Sequence, residues 1–303
     1  MRNAVDVGNA SGCLPGGRPT KNCAIVVSPA SLSKMIHPAA IVSPEAQIGA
    51  NVKIGAYAVV ESSAVIGEGC EIGPGVVISS YARLGKDVVV RPYAVIGGDP
   101  QDVHFDRSVH STVLIGDRVV LGEHSTVNRS TKLGGMTSVG EGCFIMASAH
   151  VGHDCVVESN VILAQGAMLG GHVHVGASAF IGGGGGVHQF VKIGRLAITQ
   201  GNSAITQNLP PFCMGAAVNV LAGLNVIGMR RAGFSPATRN GIKTAFDLVF
   251  RKGLNFGQAL EAAAGYTWLP EALEFLDFIR DLGKRGVCGM QRHSQNRVSN
   301  PEG

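Results

Sequence analysis

The chain has 303 residues, of which 45% are hydrophobic and 15% charged, and it carries a net charge of +4. That balance excludes a solvated, disordered polymer and leaves ample apolar material for a core. No basic run of the nucleic-acid-binding kind occurs, no apolar run is long enough for a transmembrane helix, and no stretch reads as the core of a secretory signal.

Residues 1–34 hold Arg2, Arg18, Lys21 and Lys34 against a single acid, Asp6, among several Ser and Gly. An acid-poor, basic, Ser-containing leader has the composition of an organellar transit peptide, mitochondrial rather than plastid. The plainer alternative is a disordered extension, with the bacterial cytoplasm as the setting. The seven Cys (13, 23, 70, 143, 155, 213 and 288) are odd in number and follow no disulfide or metal-ligand framework, so a reduced intracellular compartment is expected. Cys70, Cys143 and Cys155 read as small packing residues.

From residue 36 every sixth residue is aliphatic. Ile36, Val42, Ile48 and Ile54 open a run in register to Ile96; Ile115, Leu121, Val127, Leu133 and Val139 open a second that reaches Ile193. Helices repeat every 3.6 residues and strands every two, so neither produces this spacing. A hexapeptide repeat does, and it builds a parallel β-helix. Three short strands and three bends make a triangular coil, with the aliphatic residue pointing inward. The Gly that often follows it serves the bend, through positive φ or close approach. Residues 35–215 form this prism, about nine coils and roughly 45 Å long at the usual strand spacing, and it is expected to trimerise side by side.

Ile96 and Ile115 are nineteen residues apart, one more than three hexapeptides. The polar stretch from Gly97 to Arg107, with its Gly-Gly and Asp-Pro signals, reads as a loop thrown out of the prism. Asn128 to Ser138 is a second candidate, where Gly134-Gly135 breaks the pattern although the register survives. Leu209-Pro210-Pro211-Phe212 closes the prism, and residues 216–285 read as a small helical domain. Ser235-Pro236 opens a helix to about Lys252 with Ile242, Ala245, Phe246, Val249 and Phe250 on its apolar stripe. A second helix covers about Asn255 to Ala264. A third begins at Leu269-Pro270-Glu271, with Leu273, Leu276, Phe278 and Ile279 inside. Residues 286–303 are polar and expected to be disordered.

Five histidines fall within about two coils: His150, His153, His172, His174 and His188. His153 and Gly171 are one eighteen-residue coil apart, which stacks them on one corner. His153 followed by Asp154 suggests an imidazole oriented by a carboxylate, as a general base requires. The Gly171 N–H is suited to a developing oxyanion. The bland reading makes these histidines solvated corner or interface residues, and it fits His174 best. Histidines from facing subunits could also bind Zn²⁺. The spaced ligands of prism-type carbonic anhydrases are missing, so no metal is expected.

At this level the chain resembles the UDP-N-acetylglucosamine O-acyltransferases, from about residue 36 to 284. The resemblance rests on Ile36-His37-Pro38-Ala39-Ala40-Ile41-Val42, Gln101-Asp102, Ala149-His150-Val151-Gly152-His153-Asp154 and Gly170-Gly171-His172-Val173. It continues through Val187-His188-Gln189-Phe190, Gly223-Leu224-Asn225 and Arg230-Arg231 before Gly233-Phe234-Ser235. It implies a left-handed parallel β-helix with a C-terminal helical domain, and transfer of a (3R)-hydroxyacyl chain from acyl carrier protein to the sugar 3-hydroxyl, the first step of lipid A biosynthesis.

His153 is then the general base, Asp154 its anchor and Gly171 the oxyanion donor. Gln101, Asp102, His104 and His150 fall on the sugar side, and His172 and Gln189 position substrate. His188 and Gly201 line the acyl groove, and Asn225 and Arg231 reach the nucleotide from the next subunit. No cofactor is implied, because the thioester arrives activated. The acidic carrier protein would find basic residues such as Arg230, Arg251, Lys252 and Arg280.

Three positions depart from the family pattern: His104 stands where it has Lys, Ile227 where it has Glu, and Ala232 where it has a second Arg, for which Arg230 can partly substitute. The rivals are the later N-acyltransferase of the pathway, a CoA-dependent acetyltransferase, and a silent carrier-binding scaffold. The N-acyltransferase has a further N-terminal domain and typically Asn after the catalytic His, whereas here the prism begins at residue 36 and Asp154 follows His153.

Overall fold

A computed structural model describes residues 35–290. Twenty-five two- to four-residue strands, from Ile41–Val42 to Ala204–Ile205, wind into three parallel sheets that form the faces of a prism. The first face has nine strands (Ile41–Val42 to Ala204–Ile205) and the second eight (Gln47–Ile48 to Lys192–Ile193). The third begins at Lys53–Ile54 and has eleven. The two-residue strands place their second residue inward: Ile54, Val60, Ile66 and their successors are buried and stack coil on coil. Ile36, Val42 and Ile48 are only partly buried, because they line the open first coil. Cys70, Cys143 and Cys155 fill narrow sites between coils, and each thiol donates to a backbone carbonyl.

The Gly after the inward residue is there for close approach. A Cβ on Gly49 would lie 2.7 Å from the Glu68 nitrogen of the next coil. The left-handed φ falls two residues later instead, at Asn51, Tyr57, Asp87, Asp154 and His172 among others.

Two excursions interrupt the winding. Ile96 lies on the first face and the next strand, Thr112–Ile115, on the second, so residues 99–111 lie outside the coil. Val127 is likewise on the first face and Met136–Val139 on the second. Leu133, expected to point inward, is instead 80% exposed. A whole extra hexapeptide has been inserted there, which the six-residue register cannot reveal.

Both expected domain boundaries shift. The third face continues past residue 215 through an antiparallel hairpin, Cys213–Ala216 with Val220–Leu224. Residues 286–290, expected to open a disordered tail, are ordered instead: Gly289–Met290 pairs with Val220–Leu221 and Cys288 is buried, while the rest of that tail lies outside the described residues.

Four helices follow the hairpin: α1 (Val226–Arg231), α2 (Pro236–Phe250), α3 (Phe256–Ala263) and α4 (Pro270–Arg280). The sequence reading missed α1. The other three start where their capping signals stand: Ser235 accepts from the Thr238 N–H, Asn255 and Gln258 form a capping box, and Pro270 occupies the first turn of α4. Helix α4 is rotated from expectation. Ala272, Phe275, Leu276 and Ile279 are buried while Leu273 is exposed, because Phe275 packs against Phe246 of α2. Arg195 of the prism holds Glu274 of α4 through two hydrogen-bonding nitrogens.

Candidate active site

One corner of the prism, between the first and second faces, collects the functional groups. The 99–111 excursion, the 129–135 excursion and the His153 bend leave it on three successive coils. Above them come Gly171 and then Gln189, each one coil higher. The stacking inferred from spacing holds at atomic scale. A Cβ on Gly171 would lie 2.5 Å from His153 Nε2, so only Gly lets the imidazole lie against that backbone. The Gly171 N–H has no acceptor among the described residues.

Asp154 and His153 form a dyad, with Nδ1 of His153 2.8 Å from Oδ2 of Asp154. The carboxylate is further clamped by the second excursion. The Ser130 hydroxyl donates to Oδ1, and the Thr131 N–H and hydroxyl donate to Oδ2 at 3.1 and 2.8 Å. Burial alone would raise the Asp154 carboxyl. The hydrogen bonds from Ser130, His153 and Thr131 override it and hold the group well below the usual carboxylate range. An ionised Asp154 fixes Nδ1 as the donor and leaves Nε2 as the basic nitrogen.

His172 meets the His153 ring edge-on, with centroids 5.1 Å apart, and its Nε2 lies 3.7 Å from Asp154. Burial lowers its pKa, partly offset by Asp154. His150 is lowered by burial and by the nearby His153, and its Nδ1 lies 2.7 Å from the Thr126 hydroxyl.

A groove of about 540 Å³ runs along the first face from this corner. His150, His153, Gly171, His188, Gln189 and Gln101 line its polar head. Met168, Gly186, Val187 and Ala204 make an apolar floor over successive coils. The shape suits a polar acceptor at one end and a hydrocarbon along the other.

Other expected residues lie elsewhere. Asp102 and His104 are exposed on the first excursion, where the Asp102 carboxylate accepts from the His104 N–H at 2.9 Å. Gly201 stands on the opposite edge of the face, above Gly183, and does not line the groove. His174 points from a strand of the second face, not from a corner, and pairs with Glu158 of the same chain at 2.8 Å. Asn225 caps α1, accepting from the Gly228 N–H and donating to the Leu196 carbonyl. Arg230 and Arg231 are exposed at the end of that helix, and Ile227 and Ala232 are exposed beside them.

The sequence reading did not single out Ser130, Thr131 or Arg129. Arg129 is 1% exposed. Its guanidinium binds Asp99, the Val109 and Arg107 carbonyls and the Ser111 hydroxyl, between the rings of Tyr81 and Phe105. One side chain thus ties down the loop that carries Gln101 and Asp102. The only signal was the Gly-Gly interruption that marked residues 128–138 as a loop.

His153, Asp154 and His172 bring potential metal-ligand atoms within 4.8 Å of one another. The contacted carboxylate oxygen, however, already accepts from His153 Nδ1 and from both Thr131 donors, so an ion there would have to displace the dyad's own hydrogen bonds.

An anchored imidazole under a free N–H, on a coiled prism beside an acyl-sized groove, defines a hexapeptide-repeat transferase. The profile described as "Bacterial transferase hexapeptide (six repeats)" matches residues 45–80, 63–98 and 136–171, and "Udp N-acetylglucosamine O-acyltransferase; Domain 2" matches 209–288. The chain is 38% identical over 264 residues to the Sinorhizobium fredii acyl-[acyl-carrier-protein]–UDP-N-acetylglucosamine O-acyltransferase, covering 86% of this chain and 97% of that one. It is 40% identical over 259 residues to the Burkholderia lata protein of the same name, covering 83% and 98%. The crystal structure of the Francisella novicida UDP-N-acetylglucosamine acyltransferase superposes with a TM-score of 0.80 at 34% identity, over 86% of this chain and 95% of that one. The chain belongs to the UDP-N-acetylglucosamine O-acyltransferase family, and its coil is the left-handed one the resemblance implied.

Proposed function

We propose that this chain moves a (3R)-hydroxyacyl group from acyl carrier protein to the 3-hydroxyl of UDP-N-acetylglucosamine, the first step of lipid A biosynthesis. The observation that carries the reading is the Asp154-anchored imidazole of His153, packed under the Gly171 backbone at the head of the apolar groove. His153 Nε2 takes the proton of the 3-hydroxyl as its oxygen attacks the thioester carbonyl. The Gly171 N–H stabilises the oxyanion. Collapse breaks the C–S bond, and the imidazolium returns its proton to the departing thiolate, so base and acid are the same group.

Gln101, Asp102, His104 and His150 hold the sugar, His172 and Gln189 orient the reacting centre, and His188 guides the acyl chain. Asn225 and Arg231, with Arg230 standing in for the family's second Arg, serve the nucleotide from a neighbouring copy in a homotrimer. The outer surface of the third face supports that assembly: Val89, Val120, Phe144, Ile162, Phe180 and Ile198 form a continuous apolar ladder there. A row of that kind matches another copy better than it matches water. No helix among the described residues is long and apolar enough to cross a membrane. The leader lies outside the described residues; we read it as an organellar address, which fusion of residues 1–34 to a reporter tests.

The deciding experiment is transfer from (3R)-hydroxyacyl carrier protein to UDP-N-acetylglucosamine, with His153→Ala beside wild type over a series of chain lengths. Product from wild type and a loss of about 10²–10⁴-fold in the variant, the range for a general base, are expected. Absence of product at every chain length would return the weight to CoA donors or a scaffold.

A further inference from the structure

The extra hexapeptide lies outside the winding of the prism, yet three hydrogen-bond donors from it end on one carboxylate. The Ser130 hydroxyl donates to Oδ1 of Asp154, and the Thr131 N–H and hydroxyl donate to Oδ2. That same Oδ2 faces Nδ1 of His153 at 2.8 Å. Ser130 is buried, and its oxygen accepts from the Lys132 N–H at 3.0 Å, which leaves the hydroxyl proton for Asp154. From the prism side, Thr137 Oγ1 accepts from the Asp154 N–H at 2.8 Å and fixes the backbone that carries the carboxylate. Among the described residues, Asp154 meets no Lys or Arg within ion-pair distance; the imidazoles of His153 and His172 are its only cationic neighbours.

A carboxylate this close to an imidazole does two things, and a general base needs only one of them. It fixes the tautomer, and it also favours the imidazolium, because an opposite charge nearby stabilises the protonated ring. A ring that already holds its proton cannot take one from a hydroxyl. Other hydrogen bonds to the carboxylate draw its charge toward their donors and weaken its pull on the ring. Three donors besides His153 therefore let Asp154 keep the orientation and give up part of the attraction. They also assign the partner. His172 Nε2 stands 3.7 Å from Oδ2, beyond hydrogen-bond reach, while Thr131 fills that oxygen twice.

Resting on the acyl-transfer reading, we propose that Ser130 and Thr131 are positioning residues that set the base strength of His153, by sharing the charge of the carboxylate that orients it.

The other titratable and charged groups around the dyad are His150, His172, Lys132 and Cys155. Burial is the chief cause that lowers both imidazoles; His153 adds to it at each, and Lys132 at His172, where Asp154 opposes. The Cys155 thiol is pushed up to about 12, chiefly by burial, and stays neutral. The Thr131 hydroxyl bonds only Asp154, so a difference between variants at residue 131 reports on that carboxylate.

The test is the pH dependence of kcat/KM in full-length Thr131→Val, which removes the hydroxyl and keeps the N–H. Its acid limb should move to higher pH by about 0.5–1, with the KM for UDP-N-acetylglucosamine unchanged. Thr131→Ser, which keeps both donors, should restore the wild-type limb. Ser130→Ala acts on the other oxygen and should move the limb the same way, so it carries the comparison if Thr131→Val does not fold. A lower plateau with an unmoved limb assigns these side chains to packing and overturns the proposal, as does a limb that moves to lower pH. NMR titration of the His153 ring, its signal identified by loss in His153→Ala, needs no turnover. The ring should titrate at higher pH in Thr131→Val than in wild type. If that shift appears while acyl transfer fails, the transfer reading falls and the clamp stands; equal midpoints overturn the clamp.

Discussion

At the scale of single residues, the dyad was legible in sequence and its support was not. His153, Asp154 and Gly171 sit on the hexapeptide lattice, where a difference of eighteen is a contact. Ser130, Thr131 and Arg129 sit off it, so no arithmetic relates them to Asp154 or Asp99. Their roles are testable nonetheless. Arg129→Lys keeps the charge and loses the planar fork, stranding acceptors at about 1–3 kcal/mol each. It should lower the melting temperature and raise the KM for UDP-N-acetylglucosamine several-fold, with the acyl-donor KM unchanged; initial rates with each substrate varied in turn would show it. An unaltered sugar KM would separate the loop from acceptor binding.

His150 gives a pH prediction with a definite sign. Its folded pKa is depressed by burial and by His153, so protons favour the unfolded chain as pH falls below about 6.5. Stability should therefore drop between pH 7.5 and 5.5 in urea melts, and His150→Gln should drop less. Asp154 adds nothing in that window, because its carboxyl stays ionised throughout. An identical drop in wild type and variant would mean that burial of His150 carries no proton penalty.

At the scale of elements, the strands were readable because each inward residue repeats at a fixed interval, and three helices were readable from Ser235-Pro236, Asn255 and Pro270. Leu133 shows where such reading fails: an insertion of one full period leaves the count intact while moving the chain to another face. Helix α1 escaped because it is six residues long and its cap, Asn225, carries no apolar stripe with it. Phe275 escaped because the face a helix buries is chosen by its neighbour, here Phe246. The groove floor offers an element-level prediction. A Cβ at Gly186 would meet nothing within 4 Å, so a larger side chain there extends into the groove without disturbing the coil. Gly186→Met should leave the fold intact and shift the preferred acyl donor to shorter chains, measured by competition between donors. An unchanged length profile would place the hydrocarbon elsewhere.

At the scale of the whole molecule, the apolar ladder on the third face separates assembly from folding. Phe180 lies on that outer surface, between Ile162 and Ile198, while Ile181 beside it faces the core. Phe180→Asp should therefore yield a folded but dissociated chain by analytical ultracentrifugation, with activity lost if the nucleotide is held from a neighbouring copy. Full activity in a monomer would dismiss the shared site. The stacked floor of the groove carries one more consequence. Its length is graduated: whole coils add or remove roughly 4.8 Å at a time, and nothing smaller can change without breaking the winding. A prism of this kind is a ruler with coarse fixed divisions, on which single outward side chains act as the sliding stop. Specificity for chain length can then drift by point substitution while the scale itself stays untouched.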